Sequence, residues 1–123
     1  MGRRGYVQTR PPEYGSCISD WAQGSLCNYL GDAGIEVCAP GDCEAEYADR
    51  WEITIPEVCT KDGKYRYEYS KILKVAKGLR EHPDRLKDDT GKGCFGEAAA
   101  ALLEEGVAAA KRQRSGCITI DWW

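Results

Sequence analysis

Two alternating stretches, Trp51-Glu52-Ile53-Thr54-Ile55 and Lys64-Tyr65-Arg66-Tyr67-Glu68-Tyr69, flank Asp62-Gly63. A period of two is the signature of a half-buried strand, and Asp-Gly is a favoured dipeptide of two-residue hairpin turns. The segment therefore predicts an antiparallel hairpin. A two-residue turn sets Thr60 opposite Tyr65 and Val58 opposite Tyr67. Continued into the first strand, that register turns Tyr65, Tyr67 and Tyr69 away from the face of Ile53 and Ile55, unless a bulge near Pro56 flips the parity.

Other elements assemble around this hairpin. Tyr6-Val7-Gln8-Thr9 reads as a strand within residues 5–10, stopped by Pro11-Pro12. Ser16 is placed as the N-cap of a helix over Cys17 to Leu30, with Ile18, Trp21, Leu26 and Tyr29-Leu30 as its apolar stripe. Ile35 to Cys38 forms a short strand after the helix-stopping Gly31 and Gly34. Ile72, Val75-Ala76 and Leu79 recur at helical spacing with Lys71, Lys74, Lys77 and Arg80 outward, and Pro83 marks the end of that helix. Asp84 to Thr90 reads as a charged linker. Phe95 to Arg112 is rich in strong helix formers, and Cys117 to Trp123 is a strand whose apolar content suits an inner position. The expected fold is an α+β single domain. Its mainly antiparallel sheet takes four or five short strands from residues 5–10, 35–38, 50–58, 64–69 and 117–122, with three helices packed chiefly on one face.

Composition narrows the function classes. With 42% hydrophobic residues and a mean hydropathy of -0.55, 123 residues can build one core and a polar surface. No run approaches the roughly 18 apolar residues of a membrane span, and the first six residues carry no apolar stretch for a secretory signal. Tyr6 also replaces the Ser or Thr of a myristoylation motif. The seven cysteines, at 17, 27, 38, 43, 59, 94 and 117, form no Cys-x-x-Cys pair. They are expected to act as small buried hydrophobes in a reducing cytosol. A Cys38–Cys43 disulfide, or a thiol-based metal or redox centre, is the alternative. The single histidine, His82, sits between Glu81 and Pro83 at a helix end, so neither a catalytic dyad nor a mixed metal site is expected. No cofactor is called for.

Charge divides the chain. Residues 1–60 hold 4 Lys plus Arg against 10 Asp plus Glu, a net -6, whereas residues 61–123 hold 13 against 10, a net +3. Asp42, Glu44, Glu46, Asp49, Glu52 and Glu57 are opposed in their segment by Arg50 alone. Such a segment would meet a basic partner surface. Direct binding of duplex nucleic acid is disfavoured, because it needs many cationic contacts to phosphate; a local basic face lies within residues 61–87.

Gly91-Lys92-Gly93-Cys94-Phe95-Gly96 has the spacing G-x-G-x-x-G at the start of a helix, where glycines and a helix N-terminus favour anions. The preceding residues read as no strand, and Asp88 and Asp89 would repel phosphate, so a dinucleotide site is not the expectation. Taken with Ala101-Leu102-Leu103 and Ile118-Thr119-Ile120-Asp121, the loop is similar to the pyrophosphate-loop segment of acetyl-CoA-dependent N-acetyltransferases. That resemblance covers about a quarter of the chain and implies an anion or coenzyme site at Gly91, Lys92, Gly93 and Gly96.

The favoured expectation is a small intracellular protein-binding module. Its contact surface would combine the acidic residues Asp42, Glu44, Glu46, Asp49 and Glu52 with Tyr65, Tyr67, Tyr69, Trp122 and Trp123, since aromatic anchors dominate protein interfaces. In character the chain resembles the small acidic single-domain proteins of phages and mobile elements. Many of these inhibit a host defence complex, such as a CRISPR effector, by stoichiometric binding. The expected partner is thus a protein with a basic surface, within a complex that itself binds nucleic acid.

Overall fold

The fold is a five-stranded antiparallel sheet with its helices stacked on one face, as described by a computed structural model for residues 3–8, 15–39, 48–88 and 90–123. Strands β1 (Arg4–Val7), β2 (Cys17–Ser19), β3 (Val37–Cys38), β4 (Arg50–Thr54) and β7 (Cys117–Trp122) are ordered β2-β1-β7-β4-β3. A separate two-stranded sheet pairs β5 (Glu57–Cys59) with β6 (Tyr65–Tyr67). The helices are α1 (Gln23–Asp32), α2 (Tyr69–Glu81) and α3 (Gly96–Gln113), with short 3-10 turns at Asp20–Ala22 and Pro83–Arg85. This is an α+β single domain of the expected class.

Alternation explains the layering. On β7, Ile118, Ile120 and Trp122 are buried, while Cys117, Thr119 and Asp121 are half-buried on the opposite face. On β4, Trp51 and Ile53 are buried between the exposed Arg50, Glu52 and Thr54. The inward set joins Leu26 and Leu30 of α1, Ile72, Ala76 and Leu79 of α2, and Leu102, Leu103 and Val107 of α3 in one core. Trp51 and Trp122 meet edge to face there, with ring centroids 4.9 Å apart, a favoured arrangement for aromatic pairs.

Several expectations are corrected. Residues 17–19 are not the first turn of a helix: they form the edge strand β2, paired with Arg4, Gly5 and Tyr6. The Ser16 amide donates to a Glu105 carboxylate oxygen at 2.8 Å, so Ser16 caps no helix. It is Ser19 whose side chain accepts from the Trp21 amide and opens the 3-10 turn, and Trp21 stands 63% exposed instead of lining an apolar stripe.

Residues 64–69 do not extend the main sheet. Pro56 ends the run after β4, and the hairpin turn holds three residues, Lys61-Asp62-Gly63, with Thr60 and Lys64 bonded across it at 2.7 Å. Gly63 adopts φ +80°, the left-handed position that a three-residue hairpin loop requires. The extra loop residue shifts the register by one, so Cys59 faces Tyr65, Val58 faces Arg66 and Glu57 faces Tyr67. Tyr69 is not a strand residue at all but the first residue of α2. Finally, the expected charged linker contains a 3-10 turn followed by the buried Leu86.

Candidate functional site

Because the helices pack on one face of the sheet, the outward residues of its strands form a second, helix-free face. Its centre is Asp121 on β7. The register places Tyr6 on one side of it and Arg50 on the other. Its Oδ1 accepts from Arg50 Nε at 2.8 Å and its Oδ2 from Gln8 Nε2 at 3.3 Å. The hydrogen bond and charge of Asp121 raise the pKa of Arg50 above its ordinary value, fixing a cation in position on the sheet surface.

Trp123 extends beyond β7 in register with Arg4: each of the two amides donates to the other residue's carbonyl at 2.9 Å. That places its side chain on the outward face. The ring is 61% exposed and lies against Tyr6 with centroids 5.3 Å apart and planes inclined by 35°. Beside them, Arg4 Nη1 contacts Cys17 Sγ at 3.7 Å. An aromatic pair with a large exposed area, flanked by guanidinium groups, thus occupies the β1–β7 half of the face.

The β3–β4 edge is acidic. Cys38 Sγ donates to Glu36 Oε1 at 3.6 Å, and its register partner is Glu52. The Cys38 thiol pKa is raised, first by desolvation and then by the carboxylates of Glu36 and Glu52, so this thiol is held in its less reactive protonated form.

The expected contact residues distribute unevenly over this arrangement. Glu52 lies exposed on the outward face of β4. Asp49 is exposed but ion-paired with Arg3, whose Nε also reaches Asp20 at 3.4 Å. Asp42, Glu44 and Glu46 lie outside the described residues, as does Cys43. Tyr65 is 73% exposed on the hairpin. Tyr67 packs on the backbone of Gly116, where its ring fills the space of a Cβ, and Tyr69 sits beneath the Lys111 ammonium, 5.3 Å from its ring centroid. Tyr67 and Tyr69 meet edge to face with ring centroids 6.0 Å apart, so two of the three tyrosines form a half-buried pair and Tyr65 is the one left exposed. Trp122 is corrected outright: at 2% exposure its ring is core, unavailable to a partner.

The glycine loop is closed on itself. One carboxylate oxygen of Asp88 accepts from the Thr90 amide at 2.9 Å, the Thr90 hydroxyl at 2.6 Å and the Lys92 amide at 2.8 Å. Amides that an anion would need are thus turned onto an internal carboxylate, and these bonds lower the Asp88 pKa. Gly96 serves packing: a Cβ there would run into the backbone of Pro83 and Leu79. His82 is an exposed residue at the end of α2, and among the described residues no group of three or more Cys, His, Asp or Glu is placed to hold a metal.

Tyr6, Arg50 and Asp121 were not singled out from the sequence as a site. The signal was present in the alternation of Arg4, Tyr6 and Gln8 with Gly5 and Val7, and of Asp121 and Trp123 with Trp122. Neighbours on a strand face opposite ways, so Trp122 and Trp123 could not both be surface.

No family model matches the chain, and neither do the curated proteins or solved structures compared with it.

Proposed function

We propose that the chain is a protein-binding module that seats a partner on the helix-free face of its sheet. One observation carries this reading: the exposed Trp123 ring, tilted against Tyr6, on the same face as the Arg50–Asp121 pair. Aromatic rings ringed by polar groups are the usual anchors of protein interfaces, and tyrosine and tryptophan supply large contact area at small entropic cost. The acidic β3–β4 edge, with Glu36 and Glu52, favours a partner that brings cations to that side.

The inhibitor role belongs to the same proposal: a small acidic module occupying the basic, nucleic-acid-binding surface of a host defence complex. Six described cysteines are free thiols, three half-buried and three exposed instead of buried as expected, and free thiols fit a reducing, cytoplasmic setting. No described helix is long and apolar enough to cross a membrane.

The test is affinity capture from host cells in parallel with Trp123→Ala, Tyr6→Ala and Glu52→Lys variants, with Tyr65→Ala as a control on the hairpin. We expect the co-eluting partner to be lost with the first three and kept with the control. Equal recovery with Trp123→Ala and Tyr6→Ala would overturn the placement. For the inhibitor role, a purified partner complex must lose nucleic-acid binding when one equivalent of the chain is added.

A further inference from the structure

A second site lies away from the sheet face. Between the C-terminal end of α1 and one stripe of α2 is an open-mouthed cavity of about 570 Å³, within the size range of small-ligand sites. Its polar lining is unbalanced: Lys71 and Lys74 of α2 and Arg85 of the following 3-10 turn face a single carboxylate, Asp32. Arg3, Arg50 and Arg80 all form ion pairs, but Lys71, Lys74 and Arg85 form none among the described residues. Three cations around one concavity repel one another, and the walls focus their field on any anion that enters.

Gly78 is the independent observation. It lies inside α2 and lines the cavity, where glycine weakens a helix relative to alanine. Its φ is not positive, and a Cβ there would meet nothing within 4 Å. Neither backbone conformation nor packing therefore requires glycine. What the missing Cβ does is leave the helix backbone open along the cavity wall, where a flat group can lie against it. Tyr29 and Val75 add apolar surface beside it.

We propose that this cavity binds a nucleotide-sized organic phosphate. Lys71, Lys74 and Arg85 take the phosphoryl oxygens, which match the guanidinium fork and the ammonium donors. The planar body lies over Gly78 between Tyr29 and Val75, and Asp32 accepts from its hydroxyl or amino groups. This site is separate from the sheet face, and its fate does not depend on the protein-binding reading.

The experiment is calorimetric titration of the full chain at low salt with ADP and, separately, inorganic phosphate. ADP is expected to bind about tenfold or more tightly than phosphate, because the body adds its own contacts. The double variant Lys74→Glu/Arg85→Glu should weaken ADP binding by about tenfold or more. Gly78→Leu, whose side chain enters open space, should do the same while the thermal transition holds or rises. Absence of ADP binding at about 1 mM, a protein–ligand interaction weaker than roughly 4 kcal/mol, overturns the proposal. So does ADP binding that survives both variants, or phosphate binding as tightly as ADP. Should Gly78→Leu fail to fold, the charge-reversal variant decides alone.

Discussion

The ring of Trp122 occupies the space that a side chain on Gly5 would take: a Cβ at position 5 would stand 2.7 Å from the ring carbon Cζ3. The two residues are directly paired across β1 and β7. A ring folded over a cross-strand glycine restores the packing that glycine gives up. Gly5→Val should therefore cost about 1–3 kcal/mol through overpacking, read as a lower denaturation midpoint. An unchanged midpoint would show that the ring can swing aside.

Adjacent tryptophans should respond in opposite fashion. Trp122→Ala removes a buried ring that packs on Trp51 and is expected to destabilise by about 3–5 kcal/mol. Trp123→Ala, on an exposed ring, should change stability by less than about 1 kcal/mol. Urea titration of both variants checks the pair, and comparable losses would refute the division into core and surface residues.

At Gly96 the constraint is backbone against backbone, because α3 begins against Pro83 and the last turn of α2. Gly96→Ala is expected to cost about 1–3 kcal/mol despite alanine's better helix propensity. Gly78→Ala has open space around it and should stabilise by about 0.5–1 kcal/mol. Calorimetric melting of the two variants should show shifts of opposite sign.

Arg80 and Glu104 join α2 to α3, with Arg80 Nη2 2.6 Å from Oε1 and Nε 3.0 Å from Oε2. The Glu104 carboxyl is held below its ordinary pKa by that hydrogen bond first. Side-chain exposures of 47% and 40% leave the pair screened by solvent, so Glu104→Gln should cost at most about 1 kcal/mol. Raising salt should shrink the difference between variant and parent.

Acid should break the bonds that Asp88 accepts from Thr90 and Lys92. The folded Asp88 carboxyl has a lowered pKa, chiefly through its bond from Thr90. Its contribution is complete above the unfolded-state pKa and is lost as pH falls through the lower folded value. The Thr90 and Lys92 amide resonances should titrate together below the ordinary carboxylate pKa and should shift in Asp88→Asn at neutral pH. Amide signals indifferent to both changes would show that the bonds do not persist in solution.

Local pattern made much of this fold readable. Alternation in Trp51–Ile55, the apolar content of Cys117–Trp123, helical spacing in Ile72–Leu79 and the strong helix formers of Phe95–Arg112 are properties of the segments themselves. The misread places depend on partners distant in sequence. Cys17-Ile18-Ser19 is a strand because β1 offers an edge and Glu105 satisfies the Ser16 amide, and neither is visible locally. The hairpin register turned on one loop residue that Asp-Gly leaves undecided. Of the proposed binding face, Trp123 was legible as an aromatic terminus, but its neighbour Tyr6 comes to it only through the pairing of β1 with β7.

That pairing also decides how the sheet is closed. Gln8 and Asp121 touch across 113 residues, and β7 is the strand between β1 and β4. Without its residues, the pairs β1–β2 and β3–β4 have no strand between them to join one to the other, and each has an edge open toward the middle. Non-local closure of this kind is slow, and open edges recruit other chains. The sheet is thus completed by the one of its five strands that follows the other four in the chain.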